Sequence, residues 1–132
     1  MPIKRPIVPL LATLMALPTL AWGGNESRSA AYDLGNGLIE VVADFSENAI
    51  YWCGVGDYAL LRLSKRANTR VYVWKGPAPS TARPGERAVT FGFTPPPEAK
   101  AGSSFTTDVS IIGNSLSVGQ AKRTCDERTA SG

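Results

Sequence analysis

From Gly37 to Phe45 the chain reads GLIEVVADF, and apolar side chains fall on alternate positions. Ile39, Val41, Ala43 and Phe45 share one side, with Glu40 and Asp44 on the other. A period of two marks a strand with one core face. The alternation returns in TRVYVWKG, where Val71 and Val73 oppose Arg70, Tyr72 and Trp74, and in RAVTFGF, where Val89, Phe91 and Phe93 oppose Thr90 and Gly92. The turn-rich PAPSTARPGE between these two runs predicts a hairpin. TPPPEAKAGSS reads as a rigid loop that opens in polyproline conformation. After it, FTTDVSII predicts a further strand, with Phe105, Thr107, Val109 and Ile111 on one face.

Between the first strand and the hairpin lies SENAIYWCGVGDYALLRLSKRAN, which fits two structures. As a helix it has Ser46 as N-cap, Glu47 in the first turn, Lys65 and Arg66 in the last, and Asn68 as a stop. Ala49, Trp52, Cys53, Gly56, Leu60 and Leu63 then recur at the three and four spacing of one buried face. As a hairpin over 47–67, IYWC and YALLRL would be strands joined by GVGD. Gly54 and Gly56 each cost a helix about 1 kcal/mol relative to alanine. The helix is favoured because end signals and internal period agree, with Gly56 letting its backbone approach the sheet. The tail GNSLSVGQAKRTC predicts a turn and a short helix capped by Ser117 that delivers Cys125. The expected fold is α+β: one main helix packed on a small antiparallel sheet, in the order strand, helix, three-strand meander, short terminal helix.

The start of the chain changes the setting. Lys4 and Arg5 precede an apolar run from Ile7 to Leu20, followed by small residues, which is the layout of a secretory signal. Cleavage fits best after Ala21, with Gly23 as the alternative. A permanent membrane anchor fits less well, since the run falls short of the ~20 residues a spanning helix needs and Pro9 and Pro18 interrupt it. The expected organisation is a signal peptide over 1–21, a flexible lead-in over 22–31, one globular domain over 32–126 and a polar tail over 127–132. Export places the protein in the periplasm or outside the cell.

Export also recasts the charges and the cysteines. Losing Lys4 and Arg5 leaves 12 basic against 11 acidic residues, a net charge of +1, so general polyanion or nucleic-acid binding is not indicated. Yet no acid occurs between Asp57 and Glu86, a stretch that carries Arg62, Lys65, Arg66, Arg70, Lys75 and Arg83. This run reads as a solvated helix end and strand edge, or as a local anion-facing patch. The chain has two cysteines, so an oxidising compartment allows one pairing, Cys53 with Cys125. A nucleophilic Cys53 would need a lowered pKa, which a position two turns into a helix does not supply.

The chain has no histidine, which removes Ser-His-Asp and Cys-His catalysis and imidazole metal sites. No phosphate-loop signature occurs, and two cysteines make no thiolate metal cage. No catalytic residue, metal or cofactor is therefore assigned. Carboxylates such as Asp44 and Asp57 are what a small envelope hydrolase would have to use, and no spacing pairs them. Binding character concentrates on Arg70, Tyr72 and Trp74, because aromatic faces beside arginine stack on sugars, peptides or bases. The same ring row also suits packing across Gly92 of the facing strand, or cover by the terminal helix.

At YWCGVGDY, NTRVYVWKGPAPS and SLSVGQAKRTC the chain resembles small exported proteins of alphaproteobacterial type. That resemblance implies export and the two cysteines, and it brings no activity, ligand or site residue. The leading expectation is a non-catalytic exported domain that meets an envelope protein or glycan through Arg70, Tyr72 and Trp74. The alternatives are the carboxylate hydrolase and a purely structural protein.

Overall fold

The computed structural model describes residues 22–23, 29–43, 47–99 and 106–131. The expected signal peptide, Asp44, Phe45, the expected cap Ser46 and Phe105 lie outside them. One antiparallel sheet holds β1 (Trp22–Gly23), β2 (Ser29–Gly35), β3 (Leu38–Ala43), β4 (Arg70–Pro79), β5 (Arg87–Gly92) and β6 (Ser115–Ser117). Their spatial order is β1-β2-β3-β5-β4-β6. Helix α1 (Asn48–Leu61) joins β3 to β4, and α2 (Val118–Ser131) follows β6. The class is α+β, with a main helix on an antiparallel sheet and a Cys53–Cys125 disulfide.

Two details differ from the expected order. The first is a hairpin, β2–β3, that begins inside the segment read as a lead-in. Asn36 and Gly37 form its two-residue turn with φ of 57° and 79°, the positive values whose twist matches that of paired strands. Asp33 Oδ1 steadies the approach by accepting the Gly35 N–H at 2.8 Å. The second difference concerns the meander. Its expected third strand, across 105–112, is a turn-rich loop over 106–113, and the strand that follows pairs Ser115 to Ser117 with β4 rather than β5. Local side-chain bonds outcompete a ladder here: Asp108 Oδ1 accepts from the Ser110 N–H and hydroxyl, and Asn114 Nδ2 donates to the Thr106 and Asp108 carbonyls.

Segment 47–67 is a helix, ending at Leu61 rather than near Asn68. Ser64, with φ of 55°, turns the chain back so that the Lys65 N–H reaches the Ala59 carbonyl at 2.9 Å. Every residue from Ile50 to Ala59 is buried, because α1 is covered on both sides. The expected face of Ala49, Cys53 and Gly56 meets α2, not the sheet. The Thr124 hydroxyl donates to the Ala49 carbonyl, Cys53 bonds Cys125, and the Gly56 backbone lies against Ala121 and Lys122. Gly54 is the glycine that admits the sheet, with Ser29 and Val41 side chains where a methyl would sit. Two positions along a helix is about 200°, so the two glycines serve opposite faces.

The sheet's inner face supplies Ile39, Val41, Val71, Val73, Val89 and Phe91, all nearly inaccessible, as their alternation requires. Ser117 caps α2 as expected, in a reciprocal arrangement: its Oγ accepts the Gln120 N–H at 3.0 Å, and Gln120 Oε1 accepts the Ser117 N–H at 2.8 Å. Helix α2 continues to Ser131, through most of the expected polar tail.

The helix contact gives a direct test of Gly56. A Cβ there would stand 2.5 Å from the Lys122 nitrogen and 2.8 Å from the Ala121 carbonyl carbon, both backbone atoms. Gly56→Ala gains about 1 kcal/mol of helix propensity and loses more to forced separation of the helices, for a net destabilisation of about 2 kcal/mol. Denaturant unfolding checks this, and a variant as stable as the parent would show that the helices part without cost.

Candidate functional site on the outer face of the sheet

The face of the sheet turned away from α1 is divided in two. One half lies beneath the loop from Ser80 to Glu86. Glu40, on the polar side of its strand, is only 3% exposed because this loop folds over it. Its Oε1 accepts the Ser80 hydroxyl at 2.7 Å and the Ala82 N–H at 2.9 Å, and its Oε2 accepts the Thr81 N–H at 2.8 Å. A buried carboxylate is tolerable only when so satisfied. Glu40 thus anchors a loop and has no lone acid–base role. Arg83, from the same loop, pairs with Glu86 at 2.7 Å and donates to the Tyr32 hydroxyl at 3.3 Å. The Tyr32 bond and then the Glu86 charge raise its pKa above the ordinary arginine range, so the guanidinium stays charged.

The other half carries the expected binding residues. Arg70 is exposed, and Tyr72 and Trp74 are half-buried. Trp74 lies across Gly92 of β5, where a Cβ would come within 2.5 Å of its Nε1. That nitrogen donates to the Thr94 carbonyl at 2.8 Å. The aromatic–glycine packing is therefore present, and it fixes the ring without covering the face. Tyr72 sits opposite Gly92 in the ladder and Ser115 on its other side. Arg70 Nη2 donates to the Ser115 hydroxyl at 2.8 Å and its carbonyl at 3.2 Å. Helix α2 packs on α1, on the far side of the core, and leaves this face open.

Charge joins the two halves. Lys75, exposed and opposite Thr90 in the ladder, follows Trp74 on β4. With Arg70 it flanks the rings along β4 by cations, while Arg83 lies over the other half of the face, bonded to Tyr32 and paired with Glu86. Lys75 and Arg83 belong to the acid-free run visible in the sequence. Tyr32 had no such signal, because its strand was not anticipated.

Of the two carboxylates considered for hydrolysis, the described one, Asp57, lies away from this face. Asp57, 4% exposed, points from α1 to α2, where Oδ1 takes Lys122 Nζ at 2.9 Å. Asp44 lies outside the described residues. Among the described residues, no three Cys, Asp or Glu side chains form a group able to hold a metal ion. Cys53 and Cys125 are both buried and bonded, which indicates a non-reducing environment. Among the described residues no helix is long and apolar enough to cross a membrane.

Set against known proteins, the chain matches no family model, no curated sequence and no solved structure.

Proposed function

We propose that this is an exported, non-catalytic binding domain of the cell envelope, whose outer sheet face takes an anionic glycan. The observation that carries the reading is the Tyr72–Trp74 pair, its indole held by the Thr94 carbonyl and flanked along β4 by Arg70 and Lys75, on a face that no helix covers among the described residues. Rings held in place lose little entropy on stacking against a sugar, and neighbouring cations supply charge complementarity. The secretory pattern over 1–21 and the disulfide together support a periplasmic or extracellular setting.

Co-sedimentation with isolated anionic envelope polysaccharide tests the reading. The protein binds, added salt weakens binding, and Tyr72→Ala weakens it at least tenfold, about 1.4 kcal/mol. Tyr72 is the residue to change because Trp74 also seals Gly92. Equal retention of parent and Tyr72→Ala, or binding to an uncharged glycan only, would remove this face as the site. Retention by an envelope protein in place of polysaccharide would replace the glycan as partner.

A further inference from the structure

A second concavity lies elsewhere, at the hairpin end of the molecule. It is a cleft of about 300 Å³ between the β2–β3 turn, the last turn of α1 and the residue after β5. That volume is at the small end of ligand sites, which run from roughly 300 to 1,000 Å³. Ile39, Tyr58, Leu63 and Phe93 form its apolar lining, with Asp33 and Lys65 on its walls.

Three polar groups there keep bonding capacity to spare. Tyr58 is 7% exposed, yet its hydroxyl has no hydrogen-bond partner among the described residues. Tyr58 is among the residues that line the cleft. Burial first, and the Asp33 carboxylate second, push its pKa up, so it remains a neutral phenol able to donate. Asp33 spends Oδ1 on the Gly35 amide and makes no ion pair among the described residues. Lys65 Nζ stands 4.6 Å from the centroid of the Phe93 ring and is likewise in no ion pair. Two opposite charges therefore line one small cleft of mixed polarity without pairing with each other. Both are held by backbone: Asp33 by the turn that its own carboxylate braces, Lys65 by its bond to Ala59.

We propose that this cleft binds a small zwitterion with an apolar body, in its simplest form a free apolar amino acid, its ammonium at Asp33 and its carboxylate at Lys65. The body lies against Tyr58, Phe93 and Leu63, and the Tyr58 hydroxyl donates to the ligand. A ligand with one charge leaves the other wall unmatched, and an uncharged one leaves both. Specificity follows from the charge pairing that each change removes, at an exposed Asp33 and a half-buried Lys65. The site is independent of the outer sheet face, so neither proposal depends on the other.

Calorimetry on the purified, disulfide-intact protein provides the test, with phenylalanine, leucine, N-acetyl-phenylalanine and phenylalanine amide as probes at millimolar concentration. Phenylalanine and leucine bind, and N-acetylation or amidation each weakens binding at least tenfold. Asp33→Asn keeps the acceptor that braces the turn but no longer discriminates against the N-acetyl compound. Lys65→Met no longer discriminates against the amide. Because each variant loses one selectivity and keeps the other, general damage to the fold would look different. Tyr58→Phe weakens every probe without changing either selectivity. No heat from any probe, or equal binding of all four compounds by the parent, overturns the proposal. Binding of a phenylalanine-containing dipeptide in place of both free amino acids would overturn the single amino acid as ligand.

Discussion

Replacing Cys53 and Cys125 together by alanine lowers the free energy of unfolding by about 4 kcal/mol. The bond joins residues 72 positions apart, so in the unfolded chain it closes a long loop that contains β4, β5 and β6. Removing it restores that freedom to the unfolded state, a large loss against the roughly 5 to 15 kcal/mol that holds most domains together. The native side of the balance depends on it too. The sulfurs are buried where α1 and α2 meet, one turn from the Gly56 contact, and the α-carbons stand 4.8 Å apart. Polar ties between the helices also include the Asp57–Lys122 pair and the Thr124 hydroxyl. Urea unfolding of the parent with and without reductant, and of the double variant, measures the effect. In hydrogen exchange α2 loses protection before β3 and β5 do. A shift below about 1 kcal/mol would mean that helix packing alone sets the stability.

Trp52→Ala destabilises the protein by about 5 kcal/mol, the upper end for removal of a large core aromatic. Trp52 is fully buried on α1, and its ring meets Phe91 of β5 at a centroid distance of 5.0 Å and a tilt of 55°. That contact sets the helix on the centre of the sheet. The indole nitrogen also donates to the Thr107 carbonyl at 2.8 Å, tying down the loop over 106–113. The loop in turn holds the N-terminal end of α1, since Asn48 Oδ1 accepts the Val109 N–H at 3.1 Å. Trp52→Phe separates the two contributions. It keeps a ring against Phe91 and loses the hydrogen bond, for a cost of about 1 to 2 kcal/mol. Thermal or denaturant unfolding of both variants decides the matter. Equal losses for alanine and phenylalanine would assign the whole effect to the loop bond.

Much of this architecture was legible locally. The alternation in Ile39 to Val41, Val71 to Val73 and Val89 to Phe91 identified three strands and their core sides, because a pleated strand exposes its faces at a period no partner can change. Ser117 was legible as a cap for the same reason: the cap closes within one helical turn. The β2–β3 hairpin was also written locally, in Asn36-Gly37. Their positive φ values are what such a turn requires.

The site was legible in part. Arg70, Tyr72 and Trp74 emerged from one strand's alternation and share a face that no helix covers among the described residues. The cleft at Asp33, Tyr58, Lys65 and Phe93 had no sequence signal, since its walls come from four separate segments.

Taken by itself, the sequence determined the α+β class, the core side of its central strands, the single possible cysteine pairing and the absence of histidine chemistry. These depend on period, count and composition, which need no knowledge of neighbours. Tertiary structure decided what each residue's neighbour is. It sent Gly54 to the sheet and Gly56 to α2, although both cost the helix the same propensity. It turned Glu40 from a surface acid into the anchor of the loop over 80–86, by placing three donors around it. It also replaced a strand with the loop at 106–113, because Asp108 and Asn114 satisfy backbone groups there that a ladder would otherwise have satisfied. Each of these outcomes depends on groups far apart in the chain, and such distances only folding closes.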